Sequence, residues 1–214
     1  MTTTPEARAQ RTRLPRGARR AQLLRAAQDV FVAQGYHAAA MDDIAERAGV
    51  SKPVLYQHFP GKLELYLALL DEAASALVQH VHRALASTSD NKLRVQATIE
   101  AYFEFVDHEA GAFRLVFESD LMNELAVRER VEQVTTRCAR AVSELIAEDA
   151  GLDPEEAMLL AVGAVGMAQV AARYWLSTKG SIPRREAARL VATLSWRGIR
   201  GFPRAGEPPS SAQA

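Results

Sequence analysis

Residues Met41–Lys62 read MDDIAERAGVSKPVLYQHFPGK. The spacing predicts two short helices joined by a tight turn, then the start of a third. Ile44, Ala45 and Ala48 fall at i, i+1 and i+4 on one face, leaving Asp43, Glu46 and Arg47 outside. Gly49 supplies the left-handed residue that ends the first helix, and Val50 is an apolar plug for the turn. Ser51 suits the N-cap of the next helix, and Pro53 suits its first turn, where amide hydrogens lack intrahelical partners. Leu55 and Phe59, four apart, point inward, so Lys52, Pro53, Tyr56 and Gln57 share the opposite face. The pattern is that of a helix-turn-helix whose second helix presents an exposed reading face.

Outward from this stretch the chain stays helical. A first helix is expected over about 17–34, with Leu23, Ala27, Val30 and Phe31 as its apolar stripe and Gly35 as its stop. The fourth begins near Gly61 and continues to about Ala86, where Ser87-Thr88-Ser89-Asp90-Asn91 breaks it. Further helices are expected over about 92–109, 112–118, 121–149, 154–178 and 184–199. Asp153-Pro154-Glu155-Glu156 is a start signal with an N-cap acid, Pro at N1 and acids in the first turn. No sustained strand alternation or long repeat occurs, so the expected class is all-α with nine helices. The expected division is a disordered basic arm (1–18), a helix-turn-helix domain (19–62), a helical domain (63–202) and a disordered tail (203–214).

Composition narrows the function classes. The 214 residues allow a sizeable core, and 48% hydrophobic with 24% charged residues describes an ordinary soluble chain. Zero net charge conceals an asymmetry: residues 1–62 carry ten Lys/Arg against five Asp/Glu, a net +5, and the remainder 16 against 21, a net −5. A basic end on an acidic body favours nucleic acid at one end. Arg8, Arg11, Arg13 and Arg16 in the arm either solubilise it or attract phosphate. The single Cys138 rules out an intrachain disulfide framework or cysteine zinc cluster. The five histidines do not pair at metal-binding helical spacing, and no GxGxxG, Walker loop, GxSxG or HExxH is present. No enzyme, metal or cofactor is expected. Residues 157–172, the nearest thing to a membrane span, are too short and suit a buried helix. Without an apolar signal segment at residues 1–18, a cytoplasmic location is expected.

From Arg20 to about Leu70 the chain closely resembles the DNA-binding domain of the tetracycline-repressor (TetR) family. The residues that carry the likeness are Leu24, Ala27, Phe31, Gly35, Tyr36, Ile44, Ala45, Ala48-Gly49-Val50-Ser51, Leu55-Tyr56, His58-Phe59, Lys62 and Leu65. One departure is Ala38-Ala39-Ala40, where the family usually has a Thr or Ser cap before the second helix. Losing that cap costs about 1 kcal/mol, which Asp42 and Asp43 at the helix start partly offset. The resemblance implies a regulator that binds a palindromic operator in double-stranded DNA as a dimer. It is most often a repressor and is released by a small apolar or amphipathic molecule.

The DNA-contact residues expected are Ser51, Lys52, Pro53, Tyr56, Gln57, His58 and Lys62. Lys52 and Gln57 reach bases or phosphates, and Pro53 packs on a thymine methyl. Tyr56, His58 and Lys62 match positions that contact phosphate in the family, although His58 also suits a packing or capping role. On that reading Lys62→Ala shallows the salt dependence of binding by about one. The homodimer is expected through the last two long helices (about 154–178 and 184–199). There Ala157, Ala161, Gly163, Ala164, Gly166, Ala168, Ala171 and Ala172 form a small-residue surface beside Leu190, Val191 and Leu194; the alternative is an intrachain core. Tyr102, Phe103, Phe105, Phe113, Phe117, Met122, Met167, Tyr174 and Trp175 are candidates for a ligand pocket, and aromatics at helical spacing equally suit a core. A helical protein-binding adaptor with a vestigial helix-turn-helix is the alternative function.

Overall fold

The computed structural model describes residues 14–108, 121, 123–178 and 181–199. Among them the chain forms eight helices and no strand: α1 (Arg16–Ala38), α2 (Met41–Arg47), α3 (Lys52–His58), α4 (Lys62–Leu85), α5 (Asn91–His108), α6 (Leu125–Ala150), α7 (Pro154–Ser177) and α8 (Arg184–Ile199). The expected short helix over 112–118 lies outside the described residues, as do the tail and most of the arm.

α1–α3 enclose a small core of Leu23, Ala27, Ile44 and Leu55, all fully buried, with Phe31 and Phe59 nearly so. Gly35 ends the regular part of α1 with φ 77°, as its position predicts, and Tyr36–Ala38 adds a further turn. Gly49 ends α2 with φ 64°. Its N–H donates to Glu46 O (2.9 Å), and the Val50 N–H donates to Ala45 O (3.0 Å), the paired bonds of a Schellman motif. A Cβ at Gly49 would meet nothing within 4 Å, so backbone conformation alone demands glycine there. At the start of α2, where Ala40 cannot cap, the Asp43 carboxylate accepts from the Ala40 N–H at 3.4 Å. That is half a capping box, a long bond in place of the lost hydroxyl.

α4 leads from this head into a second body formed with α5–α8. α6 runs against α7, α5 against α8, and α4 against both α5 and α6. Ion pairs tie these helices together: Arg130–Asp71 (2.8 Å), Arg184–Asp107 (3.3 Å) and Arg94–Asp149 (3.3 Å). Asp153 caps α7 as its sequence implies, accepting from the Glu155 N–H at 2.9 Å, while Glu156 accepts from the Asp153 N–H at 3.2 Å.

α7 departs from expectation. It is the one helix among the described residues long and apolar enough to cross a membrane (mean hydropathy 1.4), yet only 22% of that stretch is buried. Its small residues divide by face. Ala157, Ala161, Ala168 and Ala172 are buried inside the chain, where their size lets neighbouring helices approach. The open face carries Leu159, Val162, Val170 and Tyr174 with Gly163 and Gly166, at neither of which a Cβ would meet anything within 4 Å. The small-residue stripe is thus partly intrachain core, and larger apolar groups dominate the exposed side.

Candidate DNA interface and interior cavity

The exposed face of α3 assembles largely as its spacing predicts. Ser51, Lys52, Pro53, Tyr56 and Gln57 are all exposed and contiguous, with His58 half-buried at the helix end. Ser51 takes the N-cap position and is exposed, but its hydroxyl accepts no capping bond. Lys52 is not free: its Nζ stands 2.5 Å from Asp42 Oδ2 at the start of α2. The hydrogen bond to this carboxylate raises the Lys52 pKa and keeps the ammonium charged. Asp42 therefore places a negative charge on the face expected to meet phosphate. Asp42→Asn is expected to strengthen binding to any DNA sequence roughly two- to fivefold at low salt, the gain fading as salt rises. Fluorescence anisotropy on two unrelated duplexes checks this; weaker binding would mean that Asp42 holds Lys52 in its productive position.

His58 sits in a basic neighbourhood that the pattern of α3 alone does not reveal. Its pKa is lowered, first by desolvation and then by the fields of Arg16, Arg20 and Arg19. The imidazole is therefore neutral at physiological pH and offers hydrogen bonding rather than charge. The Arg20 guanidinium lies 4.6 Å from the Phe59 ring centroid, and Arg19 bonds Gln22 (2.7 Å), whose amide donates to Ala48 O (2.8 Å). The first turns of α1 thus bring cations to the end of α3. Arg16 belongs to this helix rather than to the arm. A signal was present in the sequence for Arg19 and Arg20, since the helix expected from Gly17 onward puts both on its first turns.

Lys62, expected at phosphate, is engaged within the chain. Its Nζ donates to Tyr36 O (2.8 Å), Ala39 O (2.9 Å) and His37 O (3.3 Å), and lies 4.5 Å from the Tyr36 ring centroid. An ammonium has three donors, and here all three point at carbonyls at the C-terminal end of α1 rather than towards solvent. Lys62 is a latch between the start of α4 and the segment leading into α2, which removes the basis for a phosphate contact in this conformation. Beneath it Phe31, Tyr36 and Tyr66 form a ring cluster with centroids 5.2–5.7 Å apart.

A cavity of about 420 Å³ lies within the second body, lined by residues of all five helices α4–α8. Its walls are mostly aliphatic, including Val81, Leu85, Ile99, Val142, Ile146 and Val165, with Trp196 of α8 on one side. Polar groups gather where helices end: Asn91 and Arg94 open α5, and Asp149 closes α6. Arg94 donates to Thr88 O (2.7 Å), Asn91 Oδ1 (3.0 Å) and Asp149 Oδ2 (3.3 Å).

Of the expected pocket residues, Tyr102 lines this cavity. Phe103 and Phe105 are buried in the core, Phe103 against Trp175 (5.8 Å) and Phe105 against His80 (5.9 Å). Trp175 donates from Nε1 to Ile182 O at 2.7 Å, pinning α7 to the loop before α8. Met167 is half-buried outside the cavity lining, and Tyr174 is 70% exposed. Phe113, Phe117 and Met122 lie outside the described residues. The residues that replace these candidates are aliphatic and polar: Arg94, Thr98, Cys138, Asp149 and Ser195 carried no pocket signal in the sequence.

A helix-turn-helix head joined by one long helix to a cavity-bearing bundle is the architecture of a DNA-binding protein with a second, helical body. Residues 23–69 match the family described as "Bacterial regulatory proteins, tetR family". The chain is 48% identical over 191 residues to the HTH-type transcriptional activator FasR of Mycolicibacterium smegmatis, covering 89% of this chain and 87% of that protein. A TetR-like transcriptional regulator from Rhodococcus sp. RHA1 superimposes with a TM-score of 0.70 at 27% identity, over 88% of this chain and all of the other. The transcriptional regulator FadR from Bacillus subtilis, solved in complex with stearoyl-CoA, shares the fold with a TM-score of 0.67 at 18% identity, over 82% of this chain and 96% of that one. The chain belongs to the tetR family of bacterial regulatory proteins. It is a DNA-binding transcriptional regulator and not an enzyme.

Proposed function

We propose that this regulator grips a palindromic operator as a homodimer and that an amphiphile with a long apolar chain, seated in the α4–α8 cavity, changes its grip. The observation that carries the reading is the position of the cavity at the far end of α4. Val81 and Leu85 of that helix form part of the wall, while Lys62 at its other end holds the DNA-binding head. A helix of 24 residues spans about 36 Å, so a small tilt at the cavity moves the head appreciably. An occupant that favours one tilt alters the spacing of the two reading helices and hence the fit to half-sites about one DNA turn apart.

An aliphatic body with Asn91, Arg94 and Asp149 at one end suits an apolar chain with a polar head, and the volume lies within the range of small-molecule sites. The stearoyl-CoA bound by the Bacillus subtilis regulator supports an acyl thioester as the first probe. Repression is the commoner behaviour in the family, but the FasR relative is named an activator, so we place activation first for this chain. The exposed apolar face of α7 and α8 supports a second copy as the partner, and the target DNA implies work in the cytoplasm.

In vitro selection of bound duplexes, repeated with saturating stearoyl-CoA, tests the whole reading. An enriched inverted repeat whose affinity changes at least about tenfold with the thioester is expected. An inverted repeat indifferent to the thioester would remove the acyl effector. No enrichment at low salt would restore the protein-binding adaptor.

A further inference from the structure

Thr98 behaves unlike Thr136 and Thr193. Thr136 donates its hydroxyl to Glu132 O (2.9 Å) and Thr193 to Arg189 O (2.7 Å), each four residues back along its own helix. Thr98 sits mid-helix in α5 with its Oγ1 buried, yet among the described residues that oxygen has no hydrogen-bond partner. It lines the cavity, one helical turn from Tyr102 on the same face. A buried hydroxyl that forgoes the carbonyl available on its own helix calls for a partner from outside the chain.

We propose that Thr98 donates a hydrogen bond to an uncharged acceptor oxygen, such as a carbonyl, carried by the inserted part of the cavity's ligand. The assignment rests on the reading of the cavity as the effector site and specifies what that effector must carry. The neighbouring polar groups agree with an acceptor. Burial pushes the Cys138 thiol up to about 11 and raises the Tyr102 phenol as well, so both keep their protons at physiological pH. Ser195, on the wall contributed by α8, is a further hydroxyl. The formal charges of the lining, Arg94 and Asp149, stand at the helix ends. The interior therefore offers neutral donors to a neutral oxygen, while a charged head stays at the rim. A site built to donate a hydrogen bond discriminates against an analogue that lacks the acceptor.

The test compares stearoyl-CoA with S-octadecyl-CoA, a thioether of equal chain length without the carbonyl, by calorimetry on the full chain. The wild-type protein is expected to prefer the thioester by roughly three- to tenfold. Thr98→Val should abolish that preference and Thr98→Ser should keep it. Without ligand, Thr98→Val should melt no lower than wild type, because it removes an unpartnered buried hydroxyl. Equal binding of both compounds by wild type, or a preference that survives Thr98→Val, overturns the assignment and leaves the chain-binding reading standing. A ligand-free melting point several degrees lower in Thr98→Val makes the residue structural and also overturns it. If wild type binds neither compound, the acyl reading falls and takes this inference with it.

Discussion

A chain carrying both Leu159→Glu and Leu194→Glu is expected to run as a monomer and to bind its operator at least about a hundredfold more weakly. Leu159 is 74% exposed and Leu194 64% exposed, on α7 and α8 respectively, with Val170 and Tyr174 also open. An apolar face of this kind is unusual on a monomer. In a two-fold dimer each introduced carboxylate is repeated by its symmetry copy, so desolvated charge is added twice. The cost to the protomer should be small, because both side chains already face solvent. The loss of DNA binding follows from geometry, since one seven-residue recognition helix covers a single half-site. Light scattering after gel filtration reads the oligomeric state, a gel-shift titration the affinity, and a thermal melt the fold. A variant that remains dimeric would move the interface away from α7 and α8.

Lys62→Ala is expected to lower stability by about 1–3 kcal/mol while leaving the salt slope of DNA binding unchanged. The substitution strips donors from the carbonyls of Tyr36, His37 and Ala39 and removes the cation from the Tyr36 ring. For a chain of this length, each kcal/mol shifts the melting midpoint by about 2–4 °C. Affinity should fall as well, because α4 is no longer tied to the segment before α2. Lys62→Arg should rescue poorly, since a planar fork cannot converge on three carbonyls as an ammonium does. A slope shallower by about one, with an unaltered melt, would restore Lys62 to the phosphate backbone.

The contrast between these residues shows what a sequence can reveal. The helix-turn-helix was legible because its determinants are local: Gly49 at a positive φ, Ser51 at the N-cap position and Leu55 with Phe59 on one face lie within a few residues of one another. The Asp153 N-cap was legible for the same reason. The partners of Lys62 are 23–26 residues away, so nothing in its neighbourhood distinguishes a latch from a phosphate contact. α7 is apolar around much of its circumference, so periodicity could not tell which side packs inward. Its buried alanines and exposed leucine and valines separate only when α6 and α5 are in place. The cavity was least legible, being walled by a few residues from each of five helices, most of them indistinguishable from core in their own helix. Aromatics drew attention to Phe103 and Phe105, whose rings instead fill space between helices.

Trp196 on the cavity wall also gives the molecule an optical property. The chain has two tryptophans, and their surroundings differ. Trp175 is buried against Phe103 with its indole N–H held by a carbonyl, whereas Trp196 is half-buried and borders the space an occupant would fill. One indole is insulated and the other stands beside any guest. Intrinsic emission thus divides into a steady background and a component sensitive to the cavity's polarity. Trp175→Phe would leave a single-fluorophore sensor that needs no added label.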